Sequence, residues 1–182
     1  MWWNWPVMNL KTALALIRDI PDYPKPGILF KDITPLLADN EAFQTVISAF
    51  ASQVSRSEII AGIEARGFIF AAAIAAQTNR GFVPFRKSGK LPYLTYGAKY
   101  GLEYGEDEIE VHIDSFAGAK TITIVDDVLA TGGTIAAAIE LAIRAGAQIE
   151  SVLILFEIAG LGGRDLLKEK FPGIEVRSLV IS

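Results

Sequence analysis

From residue 58 to the C-terminus, short apolar runs alternate with longer stretches in which apolar residues recur at helical spacing. Short continuous apolar runs bounded by turn residues are typical of buried strands. The pattern predicts strands at residues 59–63, 82–85, 121–125, 151–156 and 174–181, and helices at residues 68–78, 135–141 and 165–170. Strands and helices that alternate in this way usually form a parallel sheet with helices on both faces. We therefore predict an α/β fold with a parallel β-sheet core flanked by helices.

The N-terminal part of the chain follows a different pattern. Residues 1–8 form a Trp-rich extension that contains all three Trp of the chain. Asn9 is a suitable N-cap for a helix through Ile17. Asp39 is a suitable cap for a second helix, whose apolar face contains Phe43, Val46, Ile47 and Phe50.

Between these two helices, residues 21–37 are rich in Pro and contain an apolar segment flanked by Gly27 and Pro35. Such a segment is typical of a small cap outside the sheet, although a simple packing flap fits its periodicity equally well. We predict that residues 1–182 form one domain, to which residues 21–37 contribute an N-terminal cap.

Charge and composition exclude several classes of function. The net charge of −4 argues against a general binder of nucleic acid or of membrane surfaces. The chain has no Cys, which excludes disulfides, thiolate metal sites and a Cys nucleophile. The one His, His112, alternates with apolar residues on a predicted strand, so we expect a solvated side chain and no catalytic role. The longest apolar stretches are too short to span a bilayer, and we expect a cytoplasmic protein.

The stretch 121–134 contains the most specific chemistry in the chain. A β-branched run ends in Asp126 and Asp127, passes through a loop of small residues, and leads into the predicted helix at residue 135. A helix N-terminus with free N–H groups binds anions such as a phosphate monoester. Paired carboxylates accept hydrogen bonds from a vicinal diol or hold a hydrated Mg²⁺ ion. Phosphate and diol binding on one loop indicates a phosphorylated sugar.

The glycines of this loop carry a further expectation. Gly132 and Gly133 permit a sharp turn and a close approach of the backbone to a ligand. We therefore expect that Gly132→Val would weaken sugar-phosphate binding and leave the fold largely intact.

Two other phosphate loops do not match. A P-loop requires a Lys after its second Gly, and no Lys follows Gly132 or Gly133. A dinucleotide fingerprint has the form Gly-x-Gly-x-x-Gly. Gly160 and Gly162 match its first two glycines, but Asp165 occupies the position of the third. The remaining alternative is structural: the acids end a strand, and the Thr and Gly residues cap a helix.

Other polar groups also fall at predicted strand ends, where α/β sheets bind ligands. Glu64 and Arg66 follow the first strand of the sheet, and the basic segment 86–90 follows the next. These cations could hold a pyrophosphate, because Arg offers forked donors and Lys offers point charges. The alternative is an ordinary solvated surface loop.

The Tyr- and Gly-rich segment 91–106 is typical of a mobile lid, and a β-hairpin is compatible with that role.

Four further segments, in this order with the stretch 121–134, resemble adenine phosphoribosyltransferases of the type I phosphoribosyltransferase family. They read Pro-Gly-Ile-Leu-Phe-Lys-Asp-Ile-Thr-Pro-Leu-Leu (26–37), Ala-Gly-Ile-Glu-Ala-Arg-Gly-Phe (61–68), Val-Pro-Phe-Arg-Lys-Ser-Gly-Lys-Leu-Pro (83–92) and Leu-Glu-Tyr-Gly (102–105). The resemblance covers the chain from about Leu10 to the C-terminus. Lys31, Tyr93 and Gly101 depart from the usual family residues, which affects the expected adenine affinity and lid motion.

The resemblance implies transfer of the phosphoribosyl group from phosphoribosyl pyrophosphate to N9 of adenine, giving AMP and pyrophosphate, with Mg²⁺ held mainly by substrate and water. It implies a homodimer. It also implies the following binding residues: Ala130, Thr131, Gly132, Gly133 and Thr134 for the 5′-phosphate, Asp126 and Asp127 for the ribose, and Arg66, Lys87 and Lys90 for pyrophosphate.

For the base and the chemistry, the resemblance implies that Leu29 and Ile158 enclose adenine, with backbone groups near Leu29 and Lys31 reading its amino edge. Glu103 would be the catalytic residue and Tyr104 would help to close the lid. Two alternatives are a related enzyme that acts on xanthine or hypoxanthine, and a non-catalytic nucleotide-binding regulator on the same fold.

Overall fold

The computed structural model describes residues 8–102, 105–118 and 120–181. The chain divides into two compact units, Met1–Gln53 and Val54–Ser182. The first unit contains the predicted N-terminal helices, and the second contains the predicted sheet.

In the N-terminal unit, both predicted helix caps are confirmed. Its elements are α1 (Leu10–Leu14), β1 (Arg18–Ile20), β2 (Phe30–Asp32), α2 (Thr34–Ala38) and α3 (Asn40–Ala51). The Asn9 side chain accepts a hydrogen bond from the Thr12 N–H, and the Asp39 side chain accepts one from the Ala42 N–H, each at 2.9 Å. These bonds satisfy N–H groups that the first turn of a helix leaves without intrahelical partners. The helix after Asn9 ends at Leu14, earlier than the predicted Ile17.

The segment between α1 and α3 forms a small sheet of its own. Strands β1 and β2 pair antiparallel, with Arg18 opposite Asp32, and the two side chains form an ion pair. The short helix α2 follows with Pro35 in its first turn, where Pro is tolerated because no hydrogen bond from its nitrogen is needed. The sequence pattern did not indicate strand β2.

The C-terminal unit contains the alternating elements that the apolar pattern predicts. Its strands are β3 (Ile59–Ile63), β4 (Gly81–Lys87), β5 (Thr95–Leu102), β6 (Gly105–His112), β7 (Thr121–Leu129), β8 (Gln148–Glu157) and β9 (Glu175–Ile181). Its helices are α4 (Arg66–Thr78), α5 (Gly133–Arg144) and α6 (Gly163–Lys170).

These strands form one sheet in the order β5-β6-β4-β3-β7-β8-β9. The five strands β4, β3, β7, β8 and β9 pair in parallel. The β5–β6 hairpin extends the sheet beyond β4, with β6 antiparallel to β4. The predicted parallel core is therefore confirmed, with an antiparallel edge that the sequence pattern did not reveal. Strand β7 lies in the middle of the parallel part, between β3 and β8.

Strand β7 is longer than its apolar run. The strand continues through Asp126 and Asp127 to Leu129, because its parallel pairing with β8 continues to Glu157. The two acids therefore lie inside the strand. The prediction that they come at its end is wrong. Each of the helices α4, α5 and α6 also begins two residues before the predicted position, since a first turn requires no apolar side chain.

The core of this unit lies between the sheet and its helices. Its largest fully buried side chains are Phe70, Phe85, Phe116, Ile60, Ile63, Ile74, Ile109, Ile122, Ile124 and Leu129. Each such side chain stabilises the fold by about 1.5–3 kcal/mol relative to an exposed position. Within the described ranges, no helix is both long enough and apolar enough to cross a bilayer.

At the edge of the sheet opposite the acids, Glu150 holds the segment that precedes β3. Its carboxylate accepts hydrogen bonds from the N–H groups of Arg56 (3.0 Å) and Ser57 (2.7 Å) and from the hydroxyls of Ser55 and Ser57. Burial raises the pKa of Glu150, but these hydrogen bonds, led by those from Ser55 and Ser57, outweigh it and lower the pKa to about 2.

We predict that Glu150→Gln lowers the free energy of unfolding at pH 7 by about 1–3 kcal/mol. Because the folded-state pKa lies below the ordinary value, this stabilisation is present above about pH 4.5 and is lost as the pH falls towards 2. Denaturant unfolding at pH 7 and pH 3 should therefore show a smaller acid-induced loss in the variant than in the wild type. Glu140→Gln, at an exposed position 3.7 Å from Lys170, is the matched control. Equal effects of both substitutions at pH 7 would contradict the assignment.

Candidate active site

The loop after β7 has the geometry of an anion-binding turn. Gly132 occupies the N-cap position of α5 with φ +84°, a left-handed conformation that favours glycine. Glycine has no side chain to accept hydrogen bonds from the first turn of the helix, and no side-chain hydrogen bond caps α5. Thr131 is exposed, and Thr134 lies partly buried in the first turn of the helix. The sharp turn predicted for this loop is confirmed.

The close approach at Gly132, however, is to the protein itself. A Cβ atom at this position would lie 2.8 Å from the carbonyl oxygen of Gly163, the first residue of α6. Gly133 likewise lies against β5, where a Cβ would be 3.0 Å from the carbonyl oxygen of Gly101. The expectation that Gly132→Val would leave the fold largely intact is therefore wrong, because the substitution combines an unfavourable φ with a backbone collision.

The two acids of β7 are buried beside the N-terminus of α4. Asp126 is 7% exposed and Asp127 is 3% exposed. The Asp127 carboxylate pairs with the Arg66 guanidinium at 2.8 Å. Asp126 lies against Gly67, where a Cβ would be 2.9 Å from the Asp126 carboxylate oxygen. Strand β7 and helix α4 thus bring together the residues predicted for the ribose and one of those predicted for pyrophosphate.

Burial dominates the electrostatics of this acid pair. Burial and the neighbouring Asp127 charge raise the pKa of Asp126 well above its ordinary value. Burial also raises the pKa of Asp127, although the Arg66 charge opposes that shift. Two carboxyls in one buried place favour partners that donate hydrogen bonds or carry positive charge.

The basic segment 86–90 is held by two carboxylates, those of Glu64 and Asp107. Lys90 Nζ and Arg86 Nε contact the Glu64 carboxylate at 2.8 and 3.0 Å, and the Lys87 N–H donates to it at 2.8 Å. Burial raises the pKa of Glu64, but hydrogen bonds from Lys90, the Lys87 backbone and Arg86 outweigh it and lower the pKa to about 2. The Lys87 side chain pairs instead with Asp107 on β6, at 2.8 Å.

Arg66, Lys87 and Lys90, the three cations of the prediction, thus each have a carboxylate partner. Sequence reasoning did not assign a role to Glu64 as the common acceptor or to Asp107. The signal for Glu64 was available, because it is the first polar residue after strand β3.

Tyr100 on β5 lies beside the phosphate loop, where a Cβ at Gly133 would be 4.0 Å from the Tyr100 Cβ. The Tyr100 hydroxyl donates to the Asp107 carboxylate at 3.2 Å. Burial first, and then the Asp107 charge, raises the pKa of Tyr100 to about 12, so the hydroxyl stays protonated as a donor. The predicted catalytic residue Glu103 and lid residue Tyr104 lie outside the described residues.

Residues 36–170 match the family model of the phosphoribosyl transferase domain. A relative from Acidothermus cellulolyticus, named adenine phosphoribosyltransferase, is 52% identical over 168 residues, which cover 91% of this chain and 93% of the relative. The chain belongs to the adenine phosphoribosyltransferase family. The resemblance inferred from the sequence motifs is therefore confirmed.

Solved structures of the family agree with the fold. Adenine phosphoribosyltransferase from Thermoanaerobacter pseudethanolicus is similar with a TM-score of 0.88 at 44% identity, over 96% of this chain and 100% of that one. The enzyme from Giardia lamblia, solved in complex with 9-deazaadenine, has a TM-score of 0.90 at 35% identity, over 96% of this chain and 98% of that one. The architecture is thus that of the type I fold of this family.

The residues that family resemblance assigns to adenine belong to different units of the chain. In the N-terminal unit, Leu29 is 48% exposed, and Lys31 on β2 pairs with Asp19 at 2.8 Å. In the C-terminal unit, Ile158 directly follows β8, and its N–H donates to the Leu129 carbonyl at 2.9 Å. Ile158 therefore lies at the start of the phosphate loop, while the role of all three residues towards adenine stays a prediction.

His112 is less solvated than the strand pattern predicted. Its ring packs edge-on against Tyr93 with 6.1 Å between ring centroids, and its Nε2 atom is buried. The expectation of a simply solvated His was wrong for this atom, because the ring packs against Tyr93 and its Nε2 atom is buried. No contact within the described part of the chain links His112 to the acids or cations of the site.

We predict that Gly132→Ala destabilises the fold more than Gly118→Ala. Both positions have similar left-handed φ values, +84° and +87°, but a Cβ at Gly118 meets nothing within 4 Å. The control should cost about 1–2 kcal/mol for the backbone conformation alone, and Gly132→Ala should cost roughly 1–3 kcal/mol more for the collision with Gly163. Denaturant unfolding measures both free energies. Equal losses would show that the contact with Gly163 is not tight in solution.

Proposed function

We propose that this chain transfers the 5-phosphoribosyl group from phosphoribosyl pyrophosphate to N9 of adenine, giving AMP and pyrophosphate. The observation that carries the proposal is a phosphate-type loop, a buried acid pair and a cluster of cations at adjoining ends of β7, β3 and β4. These groups match the parts of one substrate: a phosphate, a sugar diol and a pyrophosphate. Relatives named for this activity support the choice of reaction and of base.

The phosphate loop would hold the 5′-phosphate. Backbone N–H groups at the start of α5, with the hydroxyls of Thr131 and Thr134, would donate to its oxygens. On β7, which precedes the loop, Asp126 and Asp127 would accept hydrogen bonds from the ribose hydroxyls. Ala130, Gly132 and Gly133 would contribute backbone and no side-chain bulk.

Pyrophosphate would bind by exchange of ion partners. One carboxylate orients each of the three cations Arg66, Lys87 and Lys90. These ion pairs restrict the conformations of long side chains that would otherwise be flexible. An anion of higher charge than a carboxylate would compete for the same donors and gain charge-assisted hydrogen bonds. Cations held in this way stabilise the negative charge that develops on pyrophosphate as its bond to C1 breaks.

The base and its proton complete the reaction. As the C1–O bond breaks, positive charge develops on the ribose ring, and adenine N9 forms the new bond to C1 while losing its proton. Glu103 would accept that proton or stabilise the ring charge, and closure by Tyr104 would exclude water. Leu29 and Ile158 would enclose the base, with the backbone near Leu29 and Lys31 reading its amino group.

The acid pair within β7 fits Mg²⁺. Asp126 and Asp127 offer carboxylate oxygens, and Mg²⁺ prefers oxygen ligands while it keeps waters and substrate phosphates in its coordination shell. Among the described residues, no group of three or more acidic or His side chains forms a dedicated metal cage. When bound, mainly through substrate and water, the ion would neutralise pyrophosphate charge.

Assembly and location complete the proposal. We propose a cytoplasmic homodimer formed by single-domain chains, with small-molecule substrates and with neither nucleic acid nor membrane as a partner. Light scattering after size-exclusion chromatography should give twice the mass of 19.7 kDa.

We predict that adenine is converted at least ~10²-fold more efficiently than hypoxanthine or guanine, because a mismatched buried edge leaves polar groups unpaired. The assay is a purine panel with phosphoribosyl pyrophosphate and Mg²⁺, read as kcat/KM for each base. Comparable turnover of a 6-oxo purine would assign the chain to another purine. Absence of turnover with every base would favour a nucleotide-binding regulator.

We predict that Glu103→Gln lowers kcat by ~10²-fold or more, which is the usual effect of removing a positioned acid–base group. The KM for phosphoribosyl pyrophosphate should change little, since the phosphate loop and the cations are untouched. Glu108→Gln, on β6, is the control and should retain the wild-type rate. A wild-type single-turnover rate for Glu103→Gln would refute the catalytic role.

A further inference from the structure

Arg164 forms a dense set of contacts just behind the phosphate loop. Its Nε donates to both oxygens of the Glu157 carboxylate, at 2.9 and 3.1 Å, and its Nη2 also contacts that carboxylate. Its Nη1 donates to the Val176 carbonyl at 2.7 Å, and its Nη2 donates to the Ser178 hydroxyl at 3.0 Å. Arg164 therefore ties the start of α6 to the end of β8 and to the first half of β9.

Glu157 is a buried partner, 7% exposed, and the Ser178 hydroxyl also donates to it at 2.8 Å. The hydrogen bond from Arg164 is the main cause that lowers the pKa of Glu157, so the carboxylate is charged at neutral pH. A forked guanidinium on a charged carboxylate has little freedom to rotate, and the pair therefore sets a defined geometry.

The residue before Arg164 touches the phosphate loop directly. A Cβ at Gly163 would lie 2.3 Å from the Ala130 carbonyl oxygen and 3.0 Å from the Gly132 nitrogen. On the same side, the Leu166 side chain would be 3.2 Å from a Cβ at Gly132. The first turn of α6 thus forms the back wall of the loop, and no side chain separates the two backbones.

The same ion pair also acts on the other end of the loop. Glu157 is paired with Leu129 across the sheet, and the next residue, Ile158, donates its N–H to the Leu129 carbonyl at 2.9 Å. Leu129 is the last residue of β7, directly before the loop. Displacement of Glu157 would therefore move the point at which the loop begins.

We propose that Arg164 is a positioning residue for the phosphate loop, acting through Gly163 on its back wall and through Glu157 on its origin. The inference rests on the proposed function, in which residues 130–134 bind the 5′-phosphate. Arg164 itself touches none of those five residues in any described contact. Its effect is to keep the loop backbone at the spacing that a phosphate requires.

The test uses ribose 5-phosphate and inorganic pyrophosphate as separate probes of the full-length protein. Arg164→Lys keeps the charge but loses the fork, and the double variant Arg164→Met with Glu157→Leu removes the pair without leaving an unpaired buried charge. Arg177→Met is the matched control, because Arg177 is also ion-paired and has the same exposure, 37% against 38% for Arg164. Circular dichroism spectra and unfolding curves are measured first, and binding is compared only under conditions in which every variant is folded.

We expect calorimetry to show a loss of affinity for ribose 5-phosphate of roughly 10-fold or more in the double variant, because a small misplacement of binding groups is costly. Arg164→Lys should lie between that variant and the wild type. Pyrophosphate affinity should not change, since its cations lie on other elements. In steady-state kinetics, the KM for phosphoribosyl pyrophosphate should rise more than kcat falls, and Arg177→Met should match the wild type.

Three outcomes would overturn the inference. Unchanged ribose 5-phosphate affinity in the folded double variant would show that α6 does not position the loop. An equal loss for both probes would show general loosening of the fold, with no specific effect on the loop. A wild type that does not bind ribose 5-phosphate would refute the phosphate-loop assignment itself. Absence of adenine turnover, with normal binding of ribose 5-phosphate, would refute only the proposed reaction.

Discussion

The parallel pairing of β7 with β3 and β8 is the constraint on which the site depends. Since parallel strands all end at the same edge of a sheet, Glu64 after β3, the acids of β7 and Ile158 after β8 arrive at one edge. The register keeps β7 paired to Leu129, so that the phosphate loop starts beyond the acids. The order of groups along one strand and its loop then matches the order of diol and phosphate along one sugar.

A second constraint is close packing around the loop. Phosphate loops are often explained by the access that glycine gives to the ligand. In this chain, packing also requires glycine at positions 132 and 163. The two backbones are in contact there, and neither position has room for a Cβ. The precision of the loop therefore comes from rigid neighbours, and the ion pair of Arg164 with Glu157 holds one of those neighbours in place.

Charge compensation is the third feature of the site. The buried carboxyls of β7 would be costly without a partner, and the Arg66 guanidinium beside Asp127 reduces that cost. Glu64 and Asp107 each hold cations, among them Lys87 and Lys90, which are predicted to bind pyrophosphate. In the proposed reaction, pyrophosphate would replace these carboxylates as the ion partner, and the cations would need little reorganisation.

The sequence by itself determined the alternation of strands and helices, both N-terminal caps, and the sharp glycine turn between β7 and α5, because these follow from local periodicity and from short motifs. The family resemblance determined the class of reaction for the same reason. Only the tertiary structure decided that β7 continues past Asp127, that Glu64 gathers Arg86 and Lys90, and that Gly132 packs on Gly163. These features join residues that are distant in the chain, and local patterns contain no information on which distant partner a backbone or a charge will meet.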